Sequence, residues 1–411
     1  MSSPLEGKRI LLGVTGSIAC YKAVDLASRL TQAGSLVDVV LTKAARQFVS
    51  PLTFQSVTGR RAYTDDELWG TEGHVVHIEL GKSADLVLVA PATANTLAKL
   101  AFGLADNLLT VAALAANCPL LAAPAMDGGM YTHPATQANL ETLRERGVEL
   151  IGPAEGHLAS GMEGVGRMVE PLEILEHVRL VFARSGPLAG YHVVVTAGGT
   201  QEPIDPVRTI SNRSSGKQGF ALARAALDLG STVTLICGPV SLPTPYGALR
   251  IDVLTAQEMN AAVLDAVAEA DALIMAAAVA DFRPEITAED KIKKGDGLPE
   301  IRLQPTPDIL ANLASVKAQT GWPRVTVGFA AESKDLLHNA RIKLAAKKMD
   351  MIVANDIGSS DAGFEVDTNR VTLLYPDGHT EPVPQMKKSE VAALVLERVA
   401  DLVLSSEERK P

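Results

Sequence analysis

The stretch KRILLGVTGSIACYKAVDLASRLTQAGSLVDVVLT, residues 8–42, decides how the chain is read. An apolar run closes on a Thr-Gly-Ser turn, a helix-like segment follows, and SLVDVVLT (35–42) resumes a strand. Strand, glycine turn, helix, strand is the unit of a doubly wound parallel sheet. A third strand, ADLVLVAPA, covers 84–92. The second half rhymes with the first. YHVVVTAGGT begins at Tyr191, QGFALARAALDLG supplies the helix, and STVTLICG (231–238) and ADALIMAAA the next two strands. The chain is expected to be α/β, with two doubly wound Rossmann-like domains over 1–185 and 186–411. The seam falls in FARSGPLAG, near 180–190, where Gly, Pro and Ser collect.

Composition agrees with two packed domains. The 411 residues are 47% apolar and 21% charged, within the globular range. Aromatics are only 4%, so Ala, Val, Leu and Ile must build the cores. A net charge of −10 argues against general nucleic-acid binding, which needs a basic surface. Cys20, Cys118 and Cys237 are few, odd in number and far apart, which fits a reducing compartment and no disulfide framework. The N-terminal apolar run breaks at glycines and reads as a buried strand rather than a signal peptide. The uncharged run from Leu108 to Met126 is long enough to suggest a membrane span. Asn117 and Pro119 interrupt it, so a helix followed by a short buried strand is expected there. A cytoplasmic protein with no membrane partner follows.

Gly13, Gly16 and Ser17 lie just ahead of a helix N-terminus, where free N–H groups and the helix dipole favour a phosphate. The spacing GVTGSIA is not GxGxxG, so a mononucleotide such as FMN suits it as well as a dinucleotide. Further motifs sit at or near expected strand ends: PATANT (91–96), PAMDGGMY (124–131) and GHVVHIELGK with His74 and His77. A His pair at that spacing without a third ligand makes a poor zinc site. These strings resemble the flavin-dependent cysteine decarboxylases, a homo-oligomeric flavodoxin-like family that binds FMN. PATANT is similar to that family's PASANT, and PAMDGGMY to its PxMNxxMW. The resemblance implies that Gly16, Ser17, Ile18, Thr42, Thr93, Ala94, Asn95, Thr96 and Ala125 hold FMN. It makes His77 the catalytic base, with His74 incidental.

Two positions depart from that pattern. The family's Asn in PxMN is Asp127 here. The family's flap string, similar to ACGDxGxGRM, reads ASGMEGVGRM (159–168), with Ser160 where the proton-donating Cys is expected. A hydroxyl is a far weaker acid than a thiol. Either Asp127 and Ser160 form another proton pathway, with a protonated Asp127 of raised pKa as donor, or this half binds FMN and decarboxylates weakly, as a regulatory domain would.

YHVVVTAGGTQEPIDPVRTISNRSSGKQG (191–219) is dense in Ser, Asn, Gly and Arg. Ser214, Ser215, Gly216 and Lys217 precede a helix and suit a phosphate, without Walker A spacing. AAAVADFRPE (276–285), KIKK (291–294), TPDIL (306–310) and GFAAES (328–333) follow, and Lys343 and Lys347 share a helix face. These motifs resemble the phosphopantothenoylcysteine synthetase domain of coenzyme A biosynthesis. With the flavin domain ahead, the whole chain resembles the bacterial bifunctional decarboxylase and ligase. The resemblance implies CTP, with Mg²⁺, activating the carboxylate of 4'-phosphopantothenate as an acyl-cytidylate, which the cysteine amine then attacks. On the resemblance, Asn212 holds phosphopantothenate, Arg208 supports the second half-reaction and Lys291 faces the phosphates. Ala276, Ala277, Asp281, Pro307, Asp308, Ile309, Phe329, Lys343 and Lys347 complete the nucleotide site. The metal ligands and the choice of CTP over ATP stay open, and a large homo-oligomer is implied. An NAD(P)-linked oxidoreductase is disfavoured by the absence of GxGxxG.

Overall fold

A computed structural model describes residues 3–68, 73–293, 300–332, 335–356 and 367–408. The chain divides into two compact units on either side of Phe182.

The first unit opens with β1 (Arg9–Val14), α1 (Cys20–Gln32), β2 (Leu36–Leu41), α2 (Pro51–Thr58), β3 (Ala62–Thr64) and α3 (Gly73–Ser83). It continues with β4 (Leu86–Ala92), α4 (Ala94–Phe102), α5 (Leu108–Ala115), β5 (Leu120–Pro124), α6 (Gly128–Tyr131) and α7 (Pro134–Glu145). It ends with β6 (Glu149–Leu150), the hairpin β7 (Ala154–His157) and β8 (Glu163–Arg167), and α8 (Pro171–Ala183). Six strands pair in parallel in the order β3-β2-β1-β4-β5-β6. Alternate residues of β1 serve opposite faces. Ile10, Leu12 and Val14 pack with α1 and α8, while Leu11 packs with α4, α5 and α7. Every residue of β4 is buried, as a central parallel strand flanked by helices on both faces requires. The uncharged stretch near Leu108 is the short helix α5 followed by β5, and no described helix is long and apolar enough to cross a membrane.

The second unit holds β9 (His192–Ala197), the hairpin β10 (Gln201–Pro203) and β11 (Thr209–Ser211), α9 (Lys217–Asp228), β12 (Thr232–Cys237) and β13 (Ala248–Asp252). Then come α10 (Ala256–Ala266), β14 (Ala272–Met275), the hairpin β15 (Phe282–Pro284) and β16 (Leu303–Pro305), α11 (Ile309–Thr320) and β17 (Val325–Glu332). The last elements are α12 (Leu336–Ala346), β18 (Met351–Asp356), β19 (Thr368–Leu374), β20 (Thr380–Lys387) and α13 (Lys388–Glu408). The sheet order is β13-β12-β9-β14-β17-β18-β19-β20. The first six are parallel, and β19 and β20 add antiparallel. The terminal hairpin is absent from the sequence reading. The tight turn between β19 and β20 leaves no room for a crossover helix, so β20 must run antiparallel to β19.

Both sheets reverse their winding direction at one place, between β1 and β4 in the first and between β9 and β14 in the second. Open α/β sheets bind ligands in the crevice at the carboxyl ends of the strands at such a point.

Candidate functional sites

At the first switch point the carboxyl ends of β1 and β4 are stitched together. Thr15 Oγ1 donates to the Pro91 carbonyl at 2.6 Å and accepts from the Thr93 amide at 3.1 Å. A cavity of about 550 Å³ opens there, lined by Gly16, Ser17, Thr42, Lys43, Thr93, Ala94, Asn95, Thr96, Ala125 and Met126 among others. Gly16 is glycine for a steric reason, since a Cβ there would lie 2.4 Å from the Ala44 side chain. Thr93 caps α4 by accepting from the Thr96 amide. At α1 the N-cap, Ala19, provides no side-chain acceptor, so the helix presents its first turn to whatever anion occupies the crevice.

Eight of the nine residues expected at the cofactor line this cavity. Ile18 does not, and its side chain is 60% exposed. His77 lies on α3, outside the lining, and its Nδ1 is buried without a hydrogen-bond partner among the described residues. The His74 side chain falls outside the described residues. Lys43, Met126 and Met130 also line the cavity and escaped the sequence reading. Lys43 directly follows Thr42 at a strand end, which was the available signal.

Asp127 and Ser160 meet. The β7–β8 hairpin folds over the segment after β5. Met126 donates its amide to the Gly166 carbonyl at 3.0 Å. Gly166 has φ +142° and would place a Cβ 2.3 Å from the Met126 carbonyl, so only glycine permits this approach. At the tip, Ser160 Oγ donates to Asp127 Oδ2 at 2.7 Å, and Asp127 Oδ1 accepts from the Gly129 amide at the start of α6. The Ser160 bond and then the Gly129 amide hold the Asp127 carboxyl below its ordinary range. That corrects the expectation of a protonated Asp127 with raised pKa: the residue is a carboxylate serving as acceptor. The hairpin's root is fixed by Lys22, whose buried ammonium donates to the Met168 carbonyl at 3.0 Å and to Glu170 at 2.7 Å.

At the second switch point two loops interlock. Ala278 donates to the Gly198 carbonyl, Ala280 to Thr200 Oγ1 and Ala277 to Thr196 Oγ1, at 2.8–3.1 Å. Asn212 Nδ2 reaches across to the Val279 carbonyl at 2.8 Å. Thr306 closes the far side, donating its hydroxyl to Ala280 at 2.6 Å and its amide to Asp281. The cavity so framed is about 870 Å³, within the range of small-ligand sites. Its lining contains Asn212 and nine of the ten expected nucleotide residues: Ala276, Ala277, Asp281, Pro307, Asp308, Ile309, Phe329, Lys343 and Lys347. Asp308 caps α11 through the Ala311 amide and pairs with Lys347. Burial pushes the Asp308 carboxyl up, but those two partners outweigh it and the net shift is down.

Lys291 and Arg208 stand outside the lining. Arg208 grips Asp205 with Nε and Nη2 and donates to the Ile292 carbonyl at 2.8 Å. Asp205 also accepts from the Val207, Arg208 and Ile292 amides. This knot ties the β10–β11 hairpin to the segment that carries Lys291, and the Arg208 guanidinium drives the Asp205 carboxyl far below its usual range. Lys294 lies outside the described residues. No group of three or more His, Cys, Asp or Glu that could hold a metal occurs among the described residues. On the far wall, Gln218, Asn355, Asn369 and Lys388 were not anticipated. Asn355 closes the apolar run MIVAN at a strand end, a weak signal in hindsight.

Residues 1–182 match the family model described as flavoprotein, and residues 188–403 the one described as DNA/pantothenate metabolism flavoprotein C-terminal domain. The coenzyme A biosynthesis bifunctional protein CoaBC of Bacillus subtilis (strain 168) is 47% identical over 408 residues, 98% of this chain and all of that protein. The protein of the same description from Vibrio cholerae serotype O1 is 47% identical over 95% of this chain and 98% of its own length. That from Escherichia coli (strain K12) is 44% identical over 96% and 97%.

Proposed function

The chain belongs to the family of coenzyme A biosynthesis bifunctional proteins, and on that premise we propose how its two units divide the work. The protein is a bifunctional enzyme, a CTP-dependent ligase of 4'-phosphopantothenate and cysteine and an FMN-dependent decarboxylase of the product. The ligase is assigned to the second unit and the decarboxylase to the first. The observation that carries this division is the pair of separate cavities, each at the switch point of its own sheet and each lined by its own motif set.

The first cavity fits FMN. The uncapped first turn of α1 with Ser17 and Lys43 suits the phosphate, the hydroxyls of Thr42, Thr93 and Thr96 suit the ribityl chain, and Ala125 and Met126 offer apolar surface to the ring. Bound FMN supplies the reversible two-electron oxidation that makes the substrate's carboxylate a leaving group. Asp127 and Ser160 then handle the proton. Ser160 Oγ gives its proton to the product thiolate and regains one from solvent, while the Asp127 carboxylate, accepting from Ser160, orients the hydroxyl. His77 is the base on the family reading. It stands outside its own chain's cavity, which favours a homo-oligomer in which a second copy brings it to the flavin. Exposed Phe102, Leu104 and Leu114 offer apolar surface for such contacts.

In the second cavity the phosphopantothenate carboxylate, held by Asn212, attacks the α-phosphate of CTP and pyrophosphate leaves. The cysteine amine then forms the C–N bond as the acyl C–O bond breaks. CMP departs with the electron pair, and the amine's proton is lost to solvent. Lys343 and Lys347 offset phosphate charge, and Phe329 packs near the base. Mg²⁺ is usually held by one or two carboxylates plus substrate phosphates, and Asp281 in the cavity lining is a carboxylate that would serve. The three cysteines are free, which accords with a cytoplasmic setting.

The test is ligation and CO₂ release measured separately. Asn212→Ala should abolish CTP-dependent pyrophosphate release while FMN stays bound. Pyrophosphate release at the unaltered rate would remove Asn212 from the site.

A further inference from the structure

The wall of the ligase cavity formed by α9, β18, β19 and the start of α13 is built of polar groups that the nucleotide reading does not use. Gln218, Asn355, Asn369, Lys217 and Lys388 all line the cavity there. Gln218 Oε1 and Asn355 Oδ1 are buried and have no hydrogen-bond partner among the described residues. The Gln218 orientation is forced, because its Nε2 donates to the Lys388 carbonyl at 3.3 Å and a carbonyl cannot be served by Oε1. Buried acceptors left open in this way require a donor from elsewhere.

Asn355 is opposite Ala331 on β17 and Val371 on β19, while Phe329 on β17 is opposite Val353. In-register neighbours share a sheet face and positions two apart repeat it, so Asn355, Val353 and Phe329 face one way. Asn369 lines the same cavity, and its Oδ1 accepts from the Arg370 amide. Lys343, Lys347 and Asp308 come instead from α12 and the start of α11. The charged groups at the wall are Lys217, Lys388 and Asp367. Lys217 is paired with Asp367 at 2.6 Å, and the Lys388 amide donates to the Asp367 carbonyl. Lys388 is only 7% exposed. Burial and then the neighbouring Lys217 lower its pKa, while Asp367 opposes this.

A ligand that satisfies two open amide oxygens beside buried positive charge carries an amino group and a carboxylate on one carbon. Resting on the ligase reading above, we propose that this wall is the acceptor subsite, which binds the α-amino acid cysteine. The amine donates to Asn355 Oδ1 and Gln218 Oε1, and the α-carboxylate lies against Lys388. Holding the amine by two neutral acceptors leaves its lone pair for the acyl carbon.

The experiment follows pyrophosphate and amide formation by the full-length enzyme with CTP, 4'-phosphopantothenate and either cysteine or cysteamine, which lacks the carboxylate. Cysteamine affinity is read as KM or as Ki against cysteine. Asn355→Ala should weaken both acceptors by about tenfold, the loss of one hydrogen bond to an amine, with KM for CTP moving less than about twofold. Lys388→Met should weaken cysteine by about tenfold or more and leave cysteamine within about twofold. Equal effects of Lys388→Met on the two acceptors, an unchanged cysteine KM in either variant, or a CTP KM that rises in parallel would each overturn the assignment. Should Lys388→Met fail to fold, Asn355→Ala and Gln218→Met decide it by the same criteria. Wild-type protein that releases no pyrophosphate would refute the ligase reading itself, which separates the two failures.

Discussion

Ser160 and Asp127 carry the sharpest residue-scale consequence. Read from sequence, a carboxylate in place of an amide and a hydroxyl in place of a thiol were either partners in another proton pathway or the mark of a weak decarboxylase. The pairing was one of the two alternatives, but the contact depends on a hairpin whose fold over α6 no local pattern announces, so the direction of the Asp127 shift was not legible. The shift has a definite sign. A carboxyl held below its ordinary value stays ionised to lower pH, and any stability it contributes is present above the unfolded value of ~3.9 and lost as pH falls through the folded one. Ser160→Ala removes the first cause, so the Asp127 midpoint should rise in a carboxyl NMR titration. An unmoved midpoint would show that the contact does not form in solution. The same variant should slow CO₂ release by about tenfold or more while FMN stays bound, whereas Ser160→Cys, with the better acid, should retain it. Arg208 teaches the same lesson. The resemblance gave it a part in the second half-reaction, and its guanidinium is held by Asp205 and the Ile292 carbonyl. Arg208→Lys cannot reproduce that fork. It should increase proteolysis near Lys291 and lower ligation without a matching rise in KM for CTP. A pure rise in KM for CTP would instead put Arg208 at the nucleotide.

Among the elements, the strand–turn–helix units were the most legible part of the chain, because a buried parallel strand writes a continuous apolar run and its turn needs glycine. The short β3 and the β19–β20 hairpin were not. Three residues of β3 carry too little pattern, and β20, TEPVPQMK, alternates prolines with polar residues as an edge strand does. The β7–β8 flap showed in its glycines, and the role of Gly166 there is steric, letting the flap that carries Ser160 close on Met126. Gly166→Ala should therefore push the hairpin off Met126 and cost most of the CO₂ release, with FMN retained because Gly166 is not in the cavity lining. Loss of FMN along with activity would mean that the hairpin also closes the flavin site. His77 lies on α3 outside the lining of its own chain's cavity, so its role as base rests on the family motif.

For the molecule as a whole, the central claim is that two activities sit on two independently packed units. Each unit has its own sheet, its own hydrophobic core and its own switch-point cavity. The rhyme between residues 8–42 and 191–238 made that architecture readable, and the seam expected near 180–190 lies beside the division at Phe182. The most direct test is one preparation of the Asp281→Asn enzyme, altered at a lining residue of the second cavity and assayed for CTP-dependent pyrophosphate release and, with phosphopantothenoylcysteine supplied, for CO₂ release. The account expects pyrophosphate release to be lost while the yellow flavin colour and CO₂ release match the wild-type protein. Joint loss of both activities, or full ligation by this variant, would contradict it.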